Sequence, residues 1–314
     1  MRYIQLAFSG KNNLPAYVFT FFLTVSMLFG LGQVPFWIAL RRAGFSEAEL
    51  PGITQEMQIA LLGKNAYLVY QLFPFVLGLA VLAFCVRWIH NRPVVSLFTA
   101  RAEFDWKRFF TGFLTWGTLL LVLLGISYWA MGTKISWNYQ PESFWSLLLI
   151  SVFIIPLQTT FEEAFFRGFL NQGFGSFFRR GWITVLFTGA LFGALHASNP
   201  EVEVLGSGIL VYYICTGIFL GLLMLLDDGL ELSLGFHAVN NIFGVLIVTN
   251  NWQVFRTDAL LLDSSKPGFG WESISILLIC FPLMLFVFAR IFKWKNWKQR
   301  IFGRIDRPEK PLES

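Results

Sequence analysis

The sequence predicts an all-α fold: a polytopic membrane helix bundle of about eight transmembrane helices, forming a single membrane domain over 1–314. Three observations predict it. Hydrophobic residues make up 55% of the chain and charged residues only 14%, where a soluble domain carries about a quarter. Eight apolar runs approach the ~20 residues that a helix needs to cross the hydrocarbon core. Lysine and arginine gather in alternate connections between those runs, as the positive-inside rule describes.

The first run, 17–40, is stopped by Arg41-Arg42 and preceded by Arg2 and Lys11. It is too long for the apolar core of a signal peptide, and no small-residue cleavage site follows, so it reads as an uncleaved helix. The polar segment 43–64, with a short apolar centre, reads as a loop holding an interfacial helix. The second run is 66–89. It leads into a basic loop, 90–108, carrying Arg92, Arg101, Lys107 and Arg108. The third is 109–131, and the fourth begins near Phe144.

Four more runs follow, at 182–197, 206–226, 232–249 and 271–292. Asp227-Asp228-Gly229 is a tight polar turn, and Pro267-Gly268 marks the turn within the longer loop 250–270. The chemistry-bearing core is 144–249, and 293–314 is a basic cytoplasmic tail. Cys85, Cys215 and Cys280 each sit within an apolar run with no paired spacing, and read as small buried hydrophobes.

An even number of spans puts both termini on one side. That side holds Arg2, Lys11, the 90–108 loop, Arg179-Arg180 and the tail; the other holds Arg41, Arg42, Lys64, Lys134, Arg256 and Lys266. Both termini are therefore expected in the cytoplasm, with the chain in the cell membrane. Trp294 and Trp297 among the tail lysines read as an anchor to anionic lipid. Topology thus accounts for the net charge of +5, and no basic-aromatic module argues for nucleic acid as a partner.

Against this apolar background three polar constellations stand out. The first is Glu162-Glu163 with Arg167. Charged side chains inside a bilayer are costly and usually functional. Glu163 and Arg167 are four apart, within ion-pair reach on one helix face, while Glu162 is turned about 100° away and left free to exchange a proton. The second is His196, which shares a face with Phe192; Gly193 and Ala194 beside it let another helix approach closely. The third is His237 and Asn241, again four apart, a donor pair able to hold a water or an oxyanion. His90, the remaining histidine, ends the second run and reads as interfacial. Carboxylates, two imidazoles and an amide on successive spans make a hydrolytic site plausible. No Gly-x-Ser-x-Gly elbow supports a serine route.

Glu-Glu-x-x-x-Arg, Phe-x-x-x-His and His-x-x-x-Asn, in this order on successive membrane helices, resemble the CPBP family, which includes the CAAX prenyl endopeptidases and bacteriocin-processing or immunity-type proteins. The resemblance covers roughly the fourth to seventh spans. It implies an intramembrane endopeptidase acting on a peptide or membrane-protein substrate near the cytoplasmic membrane surface. By that analogy Glu162 and His196 activate the attacking water, His237 and Asn241 stabilise the oxyanion, and Glu163 and Arg167 form a supporting pair beside Phe192. The family is often labelled metalloprotease. There is no HExxH here, yet Glu162, His196 and His237 number enough ligands for a divalent ion such as zinc. A non-catalytic immunity or scaffold protein of the same fold, and a proton-coupled transporter, are the alternatives; no internal repeat supports the transporter.

The three motifs also make a demand on depth. For Glu162 to meet His196, the fourth helix must run past Gly168 toward Phe178. His237 lies only ~9 Å into its span, so that span must tilt or start late.

Overall fold

The computed structural model describes residues 2–45 and 52–308. Residues 46–51 of the expected interfacial loop and the end of the basic tail, Lys310 included, lie outside the described residues.

Eight principal helices build the bundle: α1 (Leu14–Arg42), α2 (Lys64–Trp88), α3 (Trp106–Ala130), α4 (Pro141–Phe178), α5 (Gly181–Leu195), α6 (Ile209–Asp227), α7 (Glu231–Ile247) and α8 (Ser273–Phe292). Six of these are long and apolar enough to cross a membrane; α5 and α7 are apolar but shorter. The all-α polytopic bundle expected from the sequence is therefore present, with two of its helices falling below full spanning length. His237 lies on the second of them, and His196 is the residue just past the end of the first.

Local chemistry sets the helix ends. Asn13 caps α1 by accepting the Ala16 backbone N–H at 3.1 Å, and Asp105 caps α3 by accepting that of Arg108 at 3.2 Å. Pro141 opens α4 at a position where its missing N–H costs nothing. Asp228 closes α6 in the left-handed region (φ 56°), which Asp tolerates better than most residues. The helix expected within 43–64 is there, at Gln55–Leu62, capped by Thr54.

The connections sort into two ends. One end joins both termini, 89–105, 179–180 and 228–230: His90 meets Lys11, Ala100 meets Asp228, and Arg179 meets Ile305. At the other end, Lys64 pairs with Asp258 at 2.6 Å, and a small sheet forms that the sequence did not announce. Its strands are β1 (Ile135–Trp137), β2 (Val248–Thr249) and β3 (Leu261–Asp263), in the order β1-β3-β2, with β1 antiparallel and β2 parallel to β3.

The terminus end is more buried than its composition implies. His90, expected at the interface, is fully buried: its Nδ1–H donates to the Lys11 carbonyl at 3.0 Å and Nε2 faces the Thr20 hydroxyl at 3.1 Å. Arg92 is buried too, donating to Gln172 at 2.7 Å and to the Leu6 carbonyl at 3.1 Å. The turn after α6 is sunk in the same way. Arg101 donates to Glu231 at 3.0 Å, and Arg101, Arg108 and the Trp294 indole all engage Asp227. Tyr3 and Arg300 engage Asp228, and Leu230 N–H bonds the Phe98 carbonyl at 2.7 Å. With its first turn under this cover, α7 starts below the surface. That late start lets His237 reach the depth of Glu162.

Candidate active site

α4 is a broken rod. It runs helical to Glu163, widens into π-turns over Ala164–Leu170, and continues to Phe178. It thus passes Gly168 as the depth argument requires. π-turns inside a helix often sit at functional sites, because the extra residue per turn re-aims the side chains around it. Here Phe161, Phe165 and Phe169 form a stacked aromatic column along one face, with centroids 5.6 and 6.1 Å apart. Glu162, Glu163 and Arg167 lie off that column, on the α5–α7 side.

The i,i+4 pair is made. Arg167 Nη1 donates to Glu163 Oε1 at 2.9 Å, and both side chains are fully buried. The guanidinium lies 4.4 Å from the Phe192 ring centre, a cation–π contact, and reaches the Gly217 carbonyl at 3.4 Å. Phe192 has neighbours on every side: His196 at 4.5 Å and His237 at 6.2 Å, centroid to centroid. It is the common wall of the site.

Helix approach is set by glycines. A Cβ at Gly193 would stand 2.3 Å from Ile214 Cγ1, and one at Gly217 would stand 2.8 Å from Gly189 Cα. α5 and α6 therefore touch along a glycine seam, as the small residues beside His196 suggested.

His237 joins the two halves of the motif. Its Nδ1 lies 2.8 Å from Glu163 Oε1 and its Nε2 lies 3.4 Å from Glu162 Oε2. Glu163, paired with Arg167, only accepts hydrogen bonds, so the Nδ1 proton is on His237. Nε2 and Glu162 then attract each other only with a proton between them, on nitrogen or on oxygen. Glu162 is the more open carboxylate, with 12% of its side chain accessible.

His196 is oriented differently. Its Nδ1–H donates to the Phe192 carbonyl at 2.7 Å, and its ring stacks on Tyr213 at 4.3 Å. Nε2 is left as a bare acceptor. Asn241 donates to Gln158 Oε1 at 3.0 Å and accepts from Asn240 at 3.3 Å, leaving one amide N–H unspent. Asn240 in turn accepts from the Trp116 indole at 3.2 Å.

Glu162, His196, His237 and Asn241 all line one cavity of about 390 Å³, together with Gln158, Tyr213 and Glu201. The sequence reading missed these last three. Gln158 was within reach of it, lying four residues before Glu162 on the same face. Tyr213 and Glu201 carry no spacing signal. The cavity is lined further by Asn199, Gln253, Val254 and Phe255, from loops at the end away from the termini, and by nothing from the loops at the terminus end. A site near the same surface as the termini was expected; the cavity lies toward the opposite one.

The donor set also tests the metal expectation. Among the described residues no three His, Cys, Asp or Glu side chains converge as a ligand set. No step below passes through a metal ion.

Residues 141–243 match the family described as Rce1-like, Type II CAAX prenyl endopeptidase Rce1-like. The match opens at the first residue of α4 and closes just past Asn241, so every motif residue above falls inside it. The chain is 28% identical over 295 residues to the "Uncharacterized protein YyaK" of Bacillus subtilis (strain 168), covering 93% of this chain and 95% of that one. No solved structure matches the chain significantly. The resemblance read from the three motifs is borne out over α4 to α7.

Proposed function

Taking 141–243 as the Rce1-like part of an integral membrane protein, we propose that the chain is an intramembrane endopeptidase that hydrolyses a peptide bond with water activated by Glu162. The observation that carries this reading is the His237 bridge, which sets an imidazole beside Glu162 inside a cavity large enough for a peptide backbone and a water.

Glu162 takes a proton from that water, and the hydroxide adds to the scissile carbonyl carbon. His196 Nε2, an acceptor only, holds the water's second hydrogen and turns its lone pair toward the carbonyl. The unspent Asn241 N–H donates to the oxyanion as it forms, joined by His237 Nε2 when the ring is protonated on both nitrogens; preorganised donors matter most at that point. The proton held by Glu162 then passes to the leaving amine as the C–N bond breaks. Glu163 touches no reacting atom. It accepts the His237 Nδ1–H and so orients the ring, while Arg167 holds it in place.

Both termini are proposed to be cytoplasmic, in the cell membrane, because the basic residues crowd their end of the bundle. Substrate then enters from the opposite side, or laterally at that level.

The experiment is cleavage of membrane-protein substrates in cells expressing wild type, Glu162→Gln or His196→Ala at equal levels. Peptides that vanish with either variant support the reading. Unchanged cleavage in both removes it and favours a scaffold or immunity role.

A further inference from the structure

The cavity holds a second carboxylate that the proposed chemistry leaves idle. Glu201 lies on the short helix Pro200–Leu205, between α5 and α6, and lines the same cavity as Glu162. It is 8% exposed. Its Oε1 accepts the Val254 backbone N–H at 2.9 Å; its Oε2 is buried and has no hydrogen-bond partner. No lysine or arginine pairs with it among the described residues. A buried carboxylate oxygen without a donor is rare in native proteins, and usually marks a place where something else supplies one.

The rest of the lining says what kind of donor fits. The cavity's ionisable side chains are Glu162, Glu201, His196, His237, Tyr212 and Tyr213, with no lysine or arginine among them. Such a site attracts cations and repels anions, more strongly as water is excluded. A substrate's free carboxy terminus would meet no lysine or arginine there and would lie against two carboxyl groups. A lysine or arginine side chain would meet the bare oxygen of Glu201.

We propose that Glu201 is a recognition subsite for a cationic side chain of the substrate, so that the site selects internal peptide bonds near a lysine or arginine over bonds beside a free carboxy terminus. The inference rests on the endopeptidase reading for the word substrate, but its binding test does not need turnover.

The full-length protein carrying Glu162→Gln is purified in detergent micelles. Its affinity is measured for a fluorescent apolar peptide with one lysine, and for the same peptide with norleucine or glutamate in that place. The lysine peptide is expected to bind about ten-fold more tightly than the norleucine peptide, since hydrogen bonds to charged groups reach that size. The glutamate peptide should bind weakest. Adding Glu201→Gln, which keeps an acceptor for the Val254 N–H, should bring the lysine and norleucine peptides to near-equal affinity. Glu201→Asp, with the carboxylate drawn back, should give an intermediate ratio. Equal binding of the two peptides before Glu201 is changed, or a ratio that survives Glu201→Gln, overturns the subsite. A parallel cleavage assay on wild type separates the two ideas. Lysine-selective binding with no cleavage keeps the subsite and removes the endopeptidase. Cleavage without selectivity does the reverse.

Discussion

His237 Nδ1 lies 2.8 Å from Glu163 Oε1, and this contact ties α7 to α4 across 74 residues of sequence. Glu163 also holds Arg167 at 2.9 Å, so one buried oxygen serves both partners. The orientation of His237, and with it the approach of its Nε2 to Glu162, depends on a residue that never meets substrate.

Glu163→Gln should therefore both destabilise the bundle and misorient His237. Removing one member of a buried ion pair strands the other charge, at a cost of about 3–5 kcal/mol. Glu163→Gln with Arg167→Met leaves no stranded charge and should unfold later than Glu163→Gln alone. Thermal unfolding in detergent measures both; a double variant no more stable than the single would mean that Arg167 is not held by Glu163.

The glycine seam between α5 and α6 makes a steric prediction. Gly217→Ala places a methyl 2.8 Å from Gly189 Cα, which backbone cannot easily yield. Overpacking of this kind costs about 1–3 kcal/mol. Gly125 in α3 has open space where a Cβ would go, so Gly125→Ala should be neutral or stabilising by up to about 1 kcal/mol. Equal melting temperatures for the two variants would contradict the packing described.

His90 gives the terminus end a pH dependence. Burial first, and then the nearby Arg92 charge, push its imidazole from 6.5 down to about 4. The folded state thus binds the proton less readily than the unfolded state, so this contribution to stability is complete above pH 6.5 and is lost as pH falls from 6.5 to 4. The chemistry agrees, because protonation removes the acceptor that faces Thr20. His90→Gln should flatten the unfolding profile over that window relative to wild type. Parallel profiles for the two proteins would show that His90 does not titrate this way.

Much of this was legible in the sequence, for particular reasons. Glu163 and Arg167 are local, so their spacing alone specified the pair. Gly193 beside His196 announced a close helix approach. The extension of α4 to Phe178 followed from matching depths along rigid helices. The bond between His237 and Glu163 was hidden, because nothing in spacing says which face of α7 meets which face of α4. Which end the cavity faces was hidden too, because the loop residues that line it, Asn199 and Gln253 to Phe255, carry no periodic signal. Glu201 sits in a loop, where burial has no periodic signature at all.

Orientation is open to direct measurement. In a background with Cys85, Cys215 and Cys280 replaced, single cysteines at Ser265 and at Arg307 lie at opposite ends of the bundle. An impermeant maleimide applied to intact cells should label the first and reach the second only after permeabilisation. The reverse pattern would put the termini outside and the cavity toward the cytoplasm.

The central claim is that water, activated by Glu162, cleaves a peptide bond. Purified protein in liposomes can be incubated with cleavable membrane peptides in ¹⁸O-labelled water, and the new carboxy termini examined by mass spectrometry. The account predicts ¹⁸O in the new termini with wild type and no new termini with Glu162→Gln. Cleavage that continues in Glu162→Gln at the wild-type rate would contradict it.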